Sequence, residues 1–237
     1  MDNNKALVIF SGGLDSTTAL YWALGKFDDV ECMSVDYGQR HRLELHYARQ
    51  TLMNLVGDEQ LTNRIPRHLI TSDLTQFGNS ALTDDGIEPH FDRRAEDMAT
   101  GTPNTFVPGR NILMLTYAAM ICEIRGIGNI VGGWNILDYS GYADCRPEFL
   151  DTMINAINLG MAQGPYKLYY PLIKKTKAEI IKMGIKHNVD YSYALSCYMG
   201  KPEPCGRCDS CILRAKGFAE VGIPDPLIVR LAEAAQV

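Results

Sequence analysis

The residues with the most distinctive chemistry lie in one short stretch near the N-terminus. The sequence there reads Phe-Ser-Gly-Gly-Leu-Asp-Ser-Thr-Thr, between an apolar run and a helical pattern. Adjacent glycines let backbone N–H groups turn toward one point, and the first turn of a helix adds unpaired donors and a positive dipole end. This combination predicts an open nest of amides and hydroxyls that holds a polyphosphate. The expected nucleotide-binding residues are Phe10, Ser11, Gly12, Gly13, Leu14, Asp15, Ser16, Thr17 and Thr18.

The spacing of these glycines excludes two common phosphate-binding motifs. A P-loop requires a lysine directly after its second glycine, and a dinucleotide fingerprint requires Gly-x-Gly-x-x-Gly. The stretch from Ser11 to Ser16 instead resembles the signature of the ATP-pyrophosphatase, or PP-loop, superfamily, which implies cleavage of ATP between its α and β phosphates. Mg2+ is expected with ATP because it prefers phosphate and carboxylate oxygens. Asp15 either orients this ion or braces the start of the helix.

A cluster of cysteines near the C-terminus has the spacing of a metal site. Four of the seven cysteines lie within fifteen residues, separated by seven, two and two positions. Four thiolates suit tetrahedral Zn2+, and a closed shell of this kind is structural because it leaves no position for substrate. An iron–sulfur cluster is the alternative, since it also takes closely spaced cysteines. The expected ligands are Cys197, Cys205, Cys208 and Cys211.

A second chemically rich stretch runs from Gly132 to Glu148 and contains aromatic rings, carboxylates and an arginine. A planar heteroaromatic ligand needs stacking faces and convergent polar groups. A carboxylate accepts two hydrogen bonds from an amidine-like edge, and an arginine clamps a carboxylate or phosphate with two donors. The alternative for this stretch is an ordinary polar loop. Arg110, at the start of a predicted helix, is a further candidate clamp, and its alternative is a pairing with a structural acid. The candidate substrate-binding residues are Arg110, Asn111, Asp138, Tyr139, Tyr142, Asp144 and Arg146.

Short apolar runs alternate with helical patterns along the chain. We predict strands at residues 5–10, 30–36, 67–71 and 129–132, and helices at residues 17–25, 41–56, 110–125 and 147–161. This alternation indicates an α/β fold with a doubly wound, mostly parallel sheet that binds ligands at the carboxyl ends of its strands. The residues after the second strand should border the same crevice as the nucleotide loop. They are Asp36, Tyr37 and Gly38.

Two segments stand apart from this alternation. Residues 72–109 are long and polar, which is typical of a lid or of a mobile surface excursion, and we favour a lid inserted in a domain of residues 1–190. Residues 191–237 form a helical, zinc-binding C-terminal segment.

Before it, Thr176 and Glu179 have the spacing of a helix-capping box. Three lysines nearby could reach phosphate or form a solvated basic face, and we would mutate Lys174 or Lys175 first rather than Lys177.

Composition indicates an ordinary globular protein. The 237 residues are 46% hydrophobic and 22% charged, with a net charge of −5. A negative chain has no general attraction for nucleic acid or anionic membranes. The N-terminus leads directly into a strand without a signal-peptide pattern, and no apolar run is long enough to span a bilayer. We therefore expect a cytoplasmic protein that binds neither nucleic acid nor membrane.

Five motifs in order identify a family resemblance: residues 11–18, 36–41, 104–111 and 138–146, followed by the cysteine cluster. Together they resemble the 7-cyano-7-deazaguanine synthases of the queuosine pathway. The resemblance implies an ATP-dependent ligase that converts 7-carboxy-7-deazaguanine and ammonia to the nitrile, and it makes a homodimer plausible. The implied catalytic residues are Asp15, Ser16, Arg110 and Arg146. Asp138 or Asp144 would read the guanine edge.

Two other functions have different signatures. A PP-loop tRNA thiolase would use a catalytic cysteine and a basic RNA surface. Cys145 lies in the substrate stretch, where it is either a reactive thiol or a small wall of the pocket, and nitrile formation needs no covalent thiol. A zinc-ribbon binding module with an inert nucleotide fold is the non-enzymatic alternative.

Overall fold

A parallel β-sheet with helices on both faces forms the centre of the chain. The computed structural model describes residues 2–56, 65–98, 100–137 and 141–236. The sheet has five strands in the order β3-β2-β1-β4-β5, and every neighbouring pair is parallel. The strands are β1 (Asp2–Ile9), β2 (Asp29–Asp36), β3 (Arg67–Thr71), β4 (Ile127–Gly132) and β5 (Lys167–Tyr169). The predicted doubly wound α/β fold is confirmed.

Helices connect the strands and complete the C-terminus. Those within the described residues are α1 (Leu14–Leu24), α2 (Leu43–Val56), α3 (Ala95–Met98), α4 (Arg110–Arg125), α5 (Pro147–Gly160), α6 (Lys177–Lys186), α7 (Asp209–Val221) and α8 (Pro226–Ala234). Among the described residues, no helix combines the length and the apolarity that crossing a bilayer requires.

Alternation along β1 divides the core into two layers. Leu7 faces a layer that contains Leu115 of α4 and Leu150 of α5. Val8 faces the opposite layer, which contains Leu20 of α1. Successive strand residues point to opposite faces, so a central strand covered on both sides must be apolar throughout. This is why a continuous apolar run identified β1 in the sequence.

The order of the strands creates a crevice between β1 and β4. The chain runs from β1 outward through β2 to β3, and then returns to the other side of β1 to form β4. Loops that leave the two adjacent strands therefore diverge at their carboxyl ends, which is where ligands bind in open α/β sheets. Gly133 after β4 approaches α1 so closely that a Cβ atom would lie 2.9 Å from the backbone of Asp15.

Most predicted elements are present, and the exceptions have local causes. The bounds of β3 and α4 match the prediction, and α1 begins three residues earlier than expected. The capping box at α6 is confirmed: Glu179 N–H donates to Thr176 Oγ1, and Thr176 N–H donates to the Glu179 carboxylate. The three-residue strand β5 was not predicted because it is too short to show a period.

The polar segment at residues 72–109 is anchored at several points. Arg40 donates hydrogen bonds of 2.9–3.2 Å to three of its backbone carbonyls. Arg93 forms an ion pair with Asp209 of α7. Phe91 forms an isolated antiparallel bridge with Cys208. The segment thus connects the loop after β2 to the cysteine cluster.

Candidate functional site

A cavity of about 250 Å³ opens at the carboxyl ends of β1, β2 and β4. Loops from separate parts of the sequence line it, including the C-terminal segment. The expected site residues that line the cavity are Phe10, Ser11, Gly13, Leu14, Asp15, Ser16, Tyr37, Arg110, Asn111 and Tyr142. The structure thus brings the nucleotide loop and part of the substrate stretch to one crevice.

The Ser11–Ser16 corner is held by its own serines. The amides of Ser11 and Gly12 donate to Ser16 Oγ at 3.3 and 3.2 Å, and Gly13 N–H donates to Ser11 Oγ at 3.2 Å. Leu14 N–H donates to Ser196 Oγ at 3.1 Å. The expectation of an open amide nest was therefore wrong, because serine hydroxyls already accept from these amides. Hydroxyls rotate and both donate and accept, so a phosphate can exchange with these contacts.

Two hydroxyls expected at the phosphate face away from the cavity. Thr17 Oγ1 donates to Gly13 O at 2.8 Å, and Thr18 Oγ1 donates to Leu14 O at 2.9 Å. Both side chains are fully buried and line no part of the cavity. A threonine in the first turns of a helix readily bonds to the carbonyl four residues earlier. Their predicted nucleotide contact is corrected for this reason.

Gly12 shapes the corner without lining the cavity. Its φ of +98° is unfavourable for residues with a side chain, and a Cβ atom would lie 2.6 Å from the carbonyl oxygen of Glu44. Its own carbonyl accepts from Leu195 N–H at 3.1 Å. Only glycine allows this close approach of β1, α2 and the C-terminal segment.

Asp15 pairs with a lysine distant in sequence. Lys177 Nζ lies 2.6 and 2.8 Å from the two carboxylate oxygens of Asp15, and both residues line the cavity. The Lys177 side chain is only 9% exposed, so this ion pair is largely shielded from solvent. Lys174 is exposed instead, because it lies before the capped start of α6. The preference for Lys174 or Lys175 was thus misplaced.

Arg110 lies between two tyrosine rings. Its guanidinium is 5.9 Å from the ring centres of both Tyr37 and Tyr142, and Nη1 donates to Tyr37 Oη at 3.2 Å. No carboxylate of the described chain forms a salt bridge with it, so pairing with a structural acid is not its role. Burial lowers its pKa, but the neighbouring tyrosines and Asp144 more than offset this and raise the pKa above its usual range. Arg110 therefore presents a permanent positive charge to the cavity.

The start of α4 and the residues after β4 bind each other directly. Asn111 N–H donates to the Asp144 carboxylate at 3.3 Å, and Asn111 Nδ2 donates to Asp144 O at 3.2 Å. Asp144 is buried and caps this helix rather than lining the cavity. Its expected contact with a guanine edge is corrected accordingly. Cys145 lines the cavity next to it.

Several other expected site residues lie elsewhere. Arg146 is exposed, because Pro147 starts α5 and leaves the preceding residue extended at the surface. Asp36 accepts from Arg42 at 2.6 Å, and Gly38 turns beside Thr75 with a φ of +78°. None of these three lines the cavity. Asp138 and Tyr139 lie outside the described residues.

Sequence reasoning missed residues that reach the cavity from α2 and the C-terminus. Glu44 and His41 are buried there, 3.3 Å apart. Ser196 and Tyr198 flank the first cysteine of the cluster and also line the cavity. The only available signal was that His41 ends the motif at residues 36–41. A single polar residue near the start of a helix does not reveal which distant residues it contacts.

The four clustered cysteines have their thiol sulfurs within 4.8 Å of one another. A tetrahedral Zn–S shell with bonds of about 2.3 Å places its sulfurs about 3.8 Å apart, so small side-chain shifts would complete it. Amides of Cys205 and Cys208 donate to neighbouring sulfurs at 3.3 Å, which suits thiolate charge. The donor set fits a soft metal ion.

The cysteine cluster is coupled to the Ser11–Ser16 corner through the residues next to Cys197. Leu195 N–H donates to Gly12 O, and Ser196 Oγ accepts from Leu14 N–H. On the other side, Gly200 approaches the backbone of Arg40 so closely that a Cβ atom would lie 2.4 Å from its carbonyl oxygen. A shift of Cys197 would therefore move the corner itself.

Comparison with known proteins finds close relatives over nearly the whole chain. A family model described as queuosine biosynthesis protein QueC matches residues 5–222. A 7-cyano-7-deazaguanine synthase from Laribacter hongkongensis is 46% identical over 233 residues, which are 98% of this chain and 97% of that protein. A protein of the same name from Myxococcus xanthus is 44% identical over 94% of this chain and 96% of its own length.

A solved structure shares the fold at low sequence identity. The structure of a 4-thiouridine synthetase–RNA complex with bound ATP aligns with a TM-score of 0.51 and 18% identity. The alignment covers 91% of this chain, which spans about half, 53%, of the other chain. This likeness concerns the fold alone.

The coupling between the cluster and the corner predicts a measurable effect of losing one thiolate. We expect about one zinc per chain in the wild-type protein and loss of most of it in Cys208→Ser, by elemental analysis. The variant should also bind ATP more weakly in calorimetry, because Cys197 positions Ser196. Cys145→Ser, which removes a cysteine outside the cluster, should retain the metal. Iron with inorganic sulfide in place of zinc would contradict the zinc assignment.

Proposed function

The chain belongs to the family of queuosine biosynthesis proteins called QueC, and from this premise we propose that it is an ATP-dependent ligase that forms a nitrile. Its substrates are 7-carboxy-7-deazaguanine, ammonia and ATP, and its product is 7-cyano-7-deazaguanine. The observation that carries the proposal is the shared name of relatives that are 46% and 44% identical over nearly the full chain. The cavity supports the proposal, because it lies at the carboxyl ends of β1 and β4, where ligands bind in open α/β sheets.

The chemistry requires activation of oxygen twice. A carboxylate resists ammonia because its leaving group would be oxide. Attack of the carboxylate on the α-phosphorus of ATP releases pyrophosphate and gives an acyl adenylate, which ammonia converts to the amide with release of AMP. Adenylation of the amide oxygen by a second ATP then allows loss of AMP and protons to leave the nitrile. The protein must hold the reactants and neutralise phosphate charge.

Groups around the corner suit these tasks. We assign Ser11, Ser16 and the amides behind them to the pyrophosphate part of ATP, with the ammonium of Lys177 beside it. Mg2+ neutralises phosphate charge in such reactions, and Asp15 offers carboxylate oxygens of the kind it prefers. Lys177 fixes the position of this carboxylate, since its ammonium lies 2.6 and 2.8 Å from the two oxygens.

Other groups that line the cavity suit the planar acid. Arg110 offers a permanent positive charge for the substrate carboxylate, and the rings of Tyr37 and Tyr142 offer stacking faces. The four cysteines would hold Zn2+ as a structural ion, because four thiolates leave no position for substrate. These assignments concern the described residues only, since part of the loop after β4 lies outside them.

The same proposal covers the domains of the chain, its location in the cell and its assembly. We assign residues 1–190 to a PP-loop domain and residues 191–237 to a metal-binding segment that completes its site. We propose a cytoplasmic homodimer that takes small molecules and no nucleic acid. The net charge of −5 supports the last point, because it gives no general attraction to RNA.

Product analysis tests the activity. Purified protein is incubated with Mg2+, ammonium, the deazaguanine acid and ATP labelled at the α-phosphate. We expect labelled AMP, unlabelled pyrophosphate and, by mass spectrometry, the nitrile. Release of ADP would contradict adenylation. No ATP turnover at all with a correctly folded, zinc-loaded protein would favour the non-enzymatic binding module.

A buried cysteine in the cavity makes a PP-loop tRNA thiolase the second candidate. Such an enzyme would need Cys145 as a nucleophile, and the thiolate is the reactive form. Burial and the nearby carboxylate of Asp144 instead raise the pKa of Cys145 to about 12, which keeps the thiol protonated at neutral pH. This favours the interpretation of Cys145 as a wall of the pocket.

Substitution of this cysteine distinguishes the two candidates. Cys145→Ser preserves size and a weak donor, so we expect nitrile formation within about twofold of the wild-type rate, since no covalent thiol step is required. The rate is measured as nitrile per enzyme under saturating substrates. A loss of more than about a hundredfold with an unchanged thermal midpoint would favour a catalytic thiol.

We predict that replacing the buried Lys177 lowers kcat/KM for ATP far more than replacing the exposed Lys174. Lys177→Ala removes the charge beside the corner and leaves Asp15 unpaired, so kcat/KM for ATP should fall on the order of 10²-fold. Lys174→Ala serves as the matched control, because Lys174 is exposed and does not line the cavity. This substitution should change kcat/KM for ATP by less than about twofold. Equal effects of both substitutions would contradict the assignment. The measurement is steady-state pyrophosphate release.

A further inference from the structure

The proposed reaction places a demand on the site that the phosphate-binding groups do not meet. This inference rests on the proposed function. The nitrogen enters from solution mainly as ammonium and ends in a nitrile, which carries no hydrogen. It attacks the acyl adenylate only after it has lost a proton, because ammonium has no lone pair. A proton acceptor that faces the cavity would let the enzyme use the abundant ammonium form directly.

Most titratable side chains that line the cavity are unsuited to this role. Arg110, Arg214 and Lys177 are cations, and Asp15 is engaged by Lys177 through both oxygens. Burial raises the pKa of Cys145 to about 12. The cavity's tyrosines are phenols, of which Tyr37 and Tyr142 have pKa values raised by burial. Within the described residues, Glu44 and His41 remain.

Glu44 is a buried carboxylate without a lysine or arginine partner among the described residues. It is 8% exposed, and its Oε2 lies 3.3 Å from His41 Nε2. Its Oε1 accepts a hydrogen bond of 2.8 Å from Ser11 Oγ, which ties it to the phosphate corner. Gly13 makes room for it, since a Cβ atom there would lie 2.7 Å from Oε1. A carboxylate held in this way attracts a small cation.

His41 is not a histidine satisfied by the core. It is also 8% exposed, and its buried Nδ1 has no hydrogen-bond partner among the described residues. The rings of Tyr37 and Tyr198 lie 6.3 Å from the imidazole, each in an edge contact. A buried polar atom is normally paired, so an unpaired one at a cavity wall indicates a functional constraint. Nδ1 of the imidazole is therefore not engaged by any described residue.

We propose that Glu44 and His41 form the site that binds ammonium and removes its proton. Ammonium gives up one proton to the Glu44–His41 pair, which leaves the Glu44 carboxylate beside an imidazolium. The lone pair of ammonia then forms a bond to the acyl carbon. The C–O bond to AMP breaks, and AMP leaves with that electron pair and the second nitrogen proton. The amide remains with two hydrogens on nitrogen, and the pair returns its proton to solvent.

A competition between two nucleophiles tests this role directly. Hydroxylamine is largely a free base at neutral pH, so it captures the same acyl adenylate without help from a proton acceptor. Wild-type protein, Glu44→Gln and His41→Asn are incubated with the acid, ATP, Mg2+ and a fixed mixture of ammonium and hydroxylamine. The ratio of amide-derived products to hydroxamate is measured by mass spectrometry. Because both products come from one intermediate, the ratio does not depend on how much protein is folded.

We expect the ratio to fall at least tenfold in Glu44→Gln and several-fold in His41→Asn. Glu44→Gln keeps an oxygen for the Ser11 hydroxyl, so the corner retains its contact. His46→Gln, at an exposed position on the same helix, is the matched control and should keep the wild-type ratio. A ratio within twofold of wild type in both cavity variants would overturn the proposal.

Two further outcomes are distinguishable. If Glu44→Gln loses both products while the control retains them, Glu44 belongs to the adenylation step and the proposal fails. If the wild-type protein makes neither product, no acyl adenylate forms, and it is the proposed ligase function that fails.

Discussion

The tight corner between β1 and α1 is the constraint on which the rest of the site depends. At Gly12 the backbone adopts a φ of +98°, and no side chain would fit against the carbonyl of Glu44. This allows three distant segments to meet within hydrogen-bond distance: the corner, the start of α2 and the residues before the first clustered cysteine. The positions of the serines, of Glu44 and of Ser196 all follow from that approach.

The same corner explains why the cysteine cluster is more than a remote stabilising element. A structural metal fixes the backbone around each ligand, and Cys197 lies between two residues that line the cavity. The segment at residues 72–109 is bound to the other side of the cluster through Phe91 and Arg93. The cysteine cluster, the polar segment and the Ser11–Ser16 corner thus form one connected structure.

The charges in the cavity are separated in a way that suits an adenylating ligase. Lys177 pairs with Asp15 at the corner, and Arg110 lines the same cavity between two aromatic rings. Glu44 is a carboxylate whose only ion-pair partner among the described residues is the imidazole of His41. Two cationic points suit two anionic reactants, while the isolated carboxylate suits a cation, because burial strengthens each interaction relative to water.

Features that depend on near neighbours in the chain could be predicted from the residues alone. The apolar runs identified the central strands, because both faces of the sheet are covered, and the spacing of Thr176 and Glu179 identified the start of α6. The motifs identified the family, and the cysteine spacing identified the cluster whose sulfurs lie together.

Which polar groups face the cavity depends on packing between distant parts of the chain. Lys177 lines the cavity, whereas Lys174 is exposed. Thr17 and Thr18 donate to backbone carbonyls in the core, and Arg146 lies at the surface. The physical reason is that a side chain's direction depends on helix phase and on partners far away in the chain. Residue type and spacing state what chemistry is available, but packing across the sheet determines where that chemistry is placed.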